Sequence, residues 1–187
     1  MVPCRDAHAQ TERRDNLDAI GTGPLEPELR AAIPGHWQLD AAVARWSGRK
    51  TAELHSGMHF RIQARDTITS APELVRLTLN MAMIHTDGSL SYLDRRMVYG
   101  GHTIGIAFAQ VTRALPNLIT ILGWERVEHM GPVTEGDRLR SELTVLEIVP
   151  CAAGALLKLM VRTYAAHGDA AEEETAVLEW TLWVLGA

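Results

Sequence analysis

The sequence predicts an α+β fold in which an antiparallel β-sheet wraps around one long central helix. Three observations predict it. Residues 101–115 form an apolar helical stretch opened by a glycine pair and closed before Pro116-Asn117. The hydrophobic period then switches to two, so that residues 119–127, 138–149, 155–165 and 175–185 read as four strands in succession. Upstream, Met58, Phe60 and Ile62 alternate with His59, Arg61 and Gln63 in the pattern of a half-buried strand.

The elements follow in order. Residues 1–24 are polar, without a sustained period, and are expected to form a flexible tail. Residues 25–57 read as a helical and irregular extension broken by Pro34-Gly35, with Trp37, Leu39, Val43 and Trp46 available to pack on the main domain, residues 58–187. Ser70-Ala71-Pro72-Glu73 has the form of a capping box, and Leu74, Leu77 and Met81 recur at helical spacing, which predicts a helix over about 71–80. Asp87-Gly88-Ser89 breaks the chain before the long helix, whose apolar surface all round predicts burial on most sides. Between the later strands lie Gly131-Pro132 to Gly136-Asp137, with Gly136 expected to supply the turn conformation and Asp137 its hydrogen bonds. The glutamate run 172–174 reads as a solvated turn rather than a metal site. In the last strand Ala176, Leu178, Trp180, Leu182 and Val184 share a face opposite Glu179, Thr181 and Trp183. A single sheet around a helix leaves an edge and a face uncovered, so pairing with a second copy is expected.

Composition narrows the function. With 187 residues, 47% hydrophobic and 22% charged, the chain is one domain plus an extension. A formal charge of -5, with scattered arginines, argues against nucleic acid as a partner. The cysteines, Cys4 and Cys151, make no disulfide framework, and no apolar run has the length of a leader or a membrane span; a cytoplasmic protein is expected. His55 and His59 lie in a strand pattern around Gly57 and lack further ligands, so no metal site is expected.

Chemistry concentrates at Arg96-Met97-Val98-Tyr99-Gly100-Gly101-His102. A helix N-terminus carries unpaired N–H groups and partial positive charge, and glycines allow a ligand close to that backbone. Such a terminus suits an anion, or a carbonyl oxygen that becomes anionic during reaction. The Gly101 and His102 amides are the expected donors, with Gly100 making room. The His102 side chain is expected to be neutral, because a helix N-terminus disfavours its charged form. Tyr99 reads as a substrate contact or a half-buried structural tyrosine. Arg96 and Arg126 read as partners for a substrate carboxylate or for phosphates, or as surface residues.

Three segments in order resemble the MaoC-like dehydratases, the enoyl-thioester hydratase branch of the hot-dog fold, over residues 58–148. They are Asn80-Met81-Ala82-Met83-Ile84-His85-Thr86-Asp87, the glycine-led helix at Gly101, and Gly131-Pro132-Val133-Thr134-Glu135-Gly136-Asp137-Arg138-Leu139. The Tyr-Gly-Gly-His wording is similar to the mesaconyl-CoA hydratase group within that family. The resemblance implies a homodimeric hot-dog protein, or a higher homo-oligomer, acting on an acyl-CoA or acyl-carrier thioester with no cofactor beyond that carrier. It implies interconversion of a 2-enoyl and a 3-hydroxyacyl thioester, with a short branched or dicarboxylic acyl group.

In this scheme His85 transfers protons, Asn80 positions water, and the helix-start amides polarise the thioester carbonyl. Asn80 stands where the family carries an Asp, and Ala107 and Ala109 stand where it tends to carry a Ser. His85 can then act as the single base with Asn80 holding water, Asp87 can replace the missing carboxylate, or the site binds thioesters without hydrating them, alone or beside a partner chain. Asn80 can also be a helix C-terminal residue in a left-handed conformation. A thioesterase of the same fold is the other alternative; it would need a carboxylate near the central helix, and residues 103–114 contain none.

Overall fold

Alternation along four long strands fixes the architecture. The computed structural model describes residues 25–45, 51–80, 82–151, 154–167 and 173–187; the expected tail, Trp46, Met81 and Glu172 lie outside them. Helices α1 (Leu25–Ala31) and α2 (Leu39–Val43) precede strands β1 (His59–Arg61) and β2 (Asp66–Thr67), helix α3 (Ala71–Leu77) and helix α4 (Gly100–Ala114). Strands β3 (Leu118–His129), β4 (Arg138–Cys151), β5 (Gly154–Ala166) and β6 (Thr175–Gly186) follow. The sheet is antiparallel in the order β1-β4-β5-β6-β3, with β2 also on β4. The α+β class and the sheet around a central helix are as expected, and each of the four long strands exceeds its expected span by one to three residues.

One row of residues crosses the concave face: Phe60 opposite Leu143, Leu143 opposite Val161, Val161 opposite Trp180, and Trp180 opposite Val127. Against it α4 lays Ala107 and Val111, both fully buried, with Ile104 and Phe108 beside them. Removing this apolar surface from water is the main driving force for placing the helix there. The helix is not surrounded, however. Gly105 and Ala109 are exposed, and Ile104, Ile106 and Phe108 are only half-buried, because one sheet covers one side.

The outer face is covered too. Leu29 of α1 packs with Leu156, Trp183 and Leu185, so Trp183 is a core residue of a second layer. Leu29 rather than Trp37 anchors the extension; Trp37 stays exposed, and Ile33 and Leu39 support Leu29. A register shift between Thr163 and Tyr164 displaces Ala176 from the Leu178 row and turns Val177 into a third cluster with Ile68, Ala71, Val98, Val133 and Leu139.

Two local readings are corrected. Ser70 adopts φ 55° and makes no side-chain cap, since that conformation aims its hydroxyl away from the first-turn amides; Pro72 alone fits the helix start. Helix α3 also ends at Leu77, because Thr78 caps it and Leu79 turns left-handed at φ 55°. Gly136, at φ 90°, takes the expected turn conformation. Asp137 is fully buried and accepts from the Thr134 N–H and hydroxyl, and from His167 Nδ1.

Candidate active site at the start of the central helix

Three segments meet where α4 begins. The 97–98 strand-like stretch lies between a 3₁₀ turn at Met83–His85 and the turn after β3: Met97 N–H donates to Ile84 carbonyl (3.2 Å), and Val98 N–H to Val133 carbonyl (2.8 Å). The three motif segments of the sequence are thus adjacent in space.

His85 is half-buried, and its Nδ1 donates to the Met97 carbonyl at 3.0 Å. A carbonyl only accepts, so the proton sits on Nδ1 and the neutral ring keeps its Nε2 lone pair for other partners. The ring lies 6.1 Å from that of Tyr99, the residue that precedes α4. Tyr99 folds back over the helix start, where a Cβ on Gly101 would stand 2.5 Å from its ring. His85 and the first turn of α4 therefore both border the Tyr99 ring.

The amide assignment shifts by one residue. His102 N–H closes a tight turn onto the Tyr99 carbonyl at 2.8 Å, so it is spent. Among the described residues no acceptor is present for the Gly100 and Gly101 N–H groups, which makes these two the available pair. The His102 Nδ1 is buried without a partner, and burial lowers its pKa while Glu135 partly opposes. The neutral form expected from the helix charge is thus favoured chiefly by desolvation.

Asn80 follows the left-handed Leu79, which corrects the reading that Asn80 itself takes that conformation. Its Oδ1 accepts the Ala82 N–H at 2.9 Å, which commits one lone pair of the oxygen meant to hold water. Asp87 is likewise engaged, by Ser89 N–H (3.0 Å) and hydroxyl (2.7 Å), and those bonds hold its carboxyl below the usual range. Ala107 packs in the core and Ala109 faces outward, so neither brings polar support to the site.

The two arginines part company. Arg96 ion-pairs with Glu135 and donates to the Thr86 carbonyl at 3.2 Å, clamping the turns on either side of the site. Arg126 points away. Val127 and His129 pair with Trp180 and Leu178 on the helix-facing side, so Arg126 and its ion partner Glu128 (2.6 Å) lie on the opposite face of β3.

That same alternation brings in a residue the motifs did not signal. His129 ends β3 with one edge against Gly100, where a Cβ would stand 2.7 Å from its Nε2, and with its outer edge exposed. Its packed edge is desolvated, which lowers its pKa. Extending the inward period from Val127 by two residues finds it. Two hollows flank the site without entering it. A groove of about 570 Å³ is lined by Gly88, Ser89, Arg96 and Glu135 among others, and a cavity of about 250 Å³ by Leu93, Pro132, Thr134 and His167; Arg95 borders both.

The fold and this site can be compared with known proteins. No family model matches the chain. Mesaconyl-CoA hydratase of Cereibacter sphaeroides is 32% identical over 94 residues, which are 50% of this chain and 27% of that protein. RV0216, a conserved hypothetical protein from Mycobacterium tuberculosis with a double hot-dog fold, superposes with a TM-score of 0.73 at 41% identity, covering 82% of this chain and 46% of that one. A putative MaoC domain protein dehydratase from Chloroflexus aurantiacus superposes at 0.67 with 19% identity, covering 82% and 48%. The chain spans about half the length of these two structures and about a quarter of the hydratase. It has the hot-dog fold, and these likenesses bear out the resemblance to the MaoC-like dehydratases. No helix among the described residues is long and apolar enough to cross a membrane.

Proposed function

We propose that the chain is an acyl-thioester hydratase, interconverting a 2-enoyl-CoA (or acyl-carrier thioester) and its 3-hydroxyacyl counterpart. The observation that supports this reading best is that His85, held through Met97 by its Nδ1, and the helix start with its unengaged Gly100 and Gly101 amides border the same Tyr99 ring. In the hydration direction His85 Nε2 takes a proton from water as the oxygen bonds to Cβ. The double-bond electrons move onto the thioester oxygen, held by the two amides, and the enolate then regains the proton at Cα. Water adds in full and His85 ends neutral. Likeness to mesaconyl-CoA hydratase favours a short branched or dicarboxylic acyl group. The working form is a homodimer or higher homo-oligomer.

Crotonyl-CoA and mesaconyl-CoA hydration by the wild type and His85→Ala tests this. Loss of about 10²-fold or more in kcat is expected from His85→Ala. Full activity in that variant removes the assigned base. A second reading, a catalytically degenerate subunit that binds acyl thioesters or supports a partner hydratase chain, is favoured by one observation: Asn80 is an amide whose oxygen already serves Ala82. Activity gained by Asn80→Asp over an inert parent would establish it.

A further inference from the structure

We infer that His129 is a water-positioning residue of the hydration site, supplying at the end of β3 a second acceptor for the water where the Asn80 Oδ1 is already bonded to the Ala82 N–H. The inference rests on the hydratase reading. Hydration needs the attacking water held by more than one acceptor, since a water gripped by a single base swings freely about that bond. One acceptor is His85 Nε2. In the segment that resembles the family motif the second position is an amide with Oδ1 drawn back to the Ala82 N–H, and Asp87 is bound within its own turn.

His129 reaches the start of α4 from a different strand. It shares the helix-facing side of β3 with Val127, and β6 opposite it offers only the aliphatic Leu178. Its ring rests on Gly100, the residue whose amide is unengaged, and any side chain at position 100 would collide with the Nε2. Among the described residues the imidazole has no hydrogen-bond partner, while its outer edge is open to an entering molecule. A neutral imidazole carries one lone pair, enough to accept one hydrogen of a water whose other hydrogen goes to His85. The free N–H groups of α4 and the packed edge both favour that neutral form. The glycine pair thus has two uses: Gly101 admits Tyr99, and Gly100 admits His129.

The step adds no reagent. Water gives one proton to His85, its oxygen bonds to Cβ, and its second hydrogen stays on that oxygen as the product hydroxyl, released from His129 with it. The titratable groups next to His129 along the chain and across Gly100 are Glu128 beside it on β3 and Tyr99 and His102 flanking the glycine pair at the helix start.

The test compares kcat/KM for mesaconyl-CoA and crotonyl-CoA across pH in the wild type, His129→Gln and His129→Phe. The glutamine oxygen accepts a hydrogen bond at every pH, whereas the imidazole does so only when neutral. His129→Gln is therefore expected to stay within about tenfold of the wild type at alkaline pH and to lose one proton from the steepness of its acid limb. His129→Phe is expected to fall by about 10²-fold, mostly in kcat. An unchanged acid limb in His129→Gln, or wild-type rates in His129→Phe, overturns the role of His129 and leaves the hydratase reading standing. A wild type that hydrates neither thioester overturns both.

Discussion

At the scale of single residues, Glu174 is tied into the fold by two arginines. Its carboxylate accepts from Arg140 at 2.6 Å and from Arg65 at 2.8 Å, while Arg140, only 5% exposed, also pairs with Glu142 at 2.7 Å. Arg140 holds the Glu174 carboxyl down to about 2 from 4.5. A carboxyl whose folded pKa is depressed stabilises the fold above its unfolded pKa, and that contribution fades as pH falls from 4.5 towards 2. The shift corresponds to about 3 kcal/mol at neutral pH. Glu174→Gln is accordingly expected to lower stability by about 2–3 kcal/mol in urea unfolding at pH 7, with the gap closing towards pH 2–3. An equal gap at both pH values would show that the ion pairs are not its source. The glutamate run looked solvated because composition cannot show which member of a charged turn meets a buried arginine two strands away. His129 escaped notice for a similar reason: its neighbour Gly100 is remote in sequence. His85 and the glycine pair stood out because local chemistry alone, a titratable ring and a side-chain-free helix start, marks them.

At the scale of elements, α3 stops where its pattern says it should continue. Leu74, Leu77 and Met81 keep a helical period, yet the Leu79 N–H turns back to Arg76 carbonyl (3.3 Å) and the Asn80 N–H to Val75 carbonyl (3.0 Å). This is the closing pattern that glycine usually completes, here with a leucine 80% exposed in the left-handed region. A side chain there costs of the order of 1 kcal/mol. Leu79→Gly is therefore expected to raise stability by up to about 1 kcal/mol, read as a higher Tm, although it removes an apolar side chain. A lower Tm would mean that the leucine contributes by packing after all. The four long strands were readable to within three residues because the row facing α4 is apolar along each of them and alternation of period two records it. Short elements carry too few turns of period to do so, and the end of α3 is set by backbone hydrogen bonds to which the hydrophobic pattern is blind.

At the scale of the whole molecule, the surface left open by one sheet and one helix argues for a second hot-dog unit. β3 is a twelve-residue edge strand whose only strand partner among the described residues is β6. A long free edge is a template for pairing unless charge, proline or a cover blocks it. Here it carries Trp124, 55% exposed and stacked edge-on to Trp180 at 5.2 Å, with Met130 exposed just beyond its end. The uncovered flank of α4, Gly105 and Ala109, is small-residue surface that allows close approach. Closed pairing of two copies is the expected way for such an edge and flank to be covered. Light scattering is expected to give twice the chain mass at micromolar concentration. Trp124→Lys puts a charge on that edge and should shift the mass to that of one chain while the far-ultraviolet circular dichroism stays unchanged. A wild-type monomer with hydratase activity would show that the edge is closed by some other means and that one hot-dog unit suffices for the chemistry.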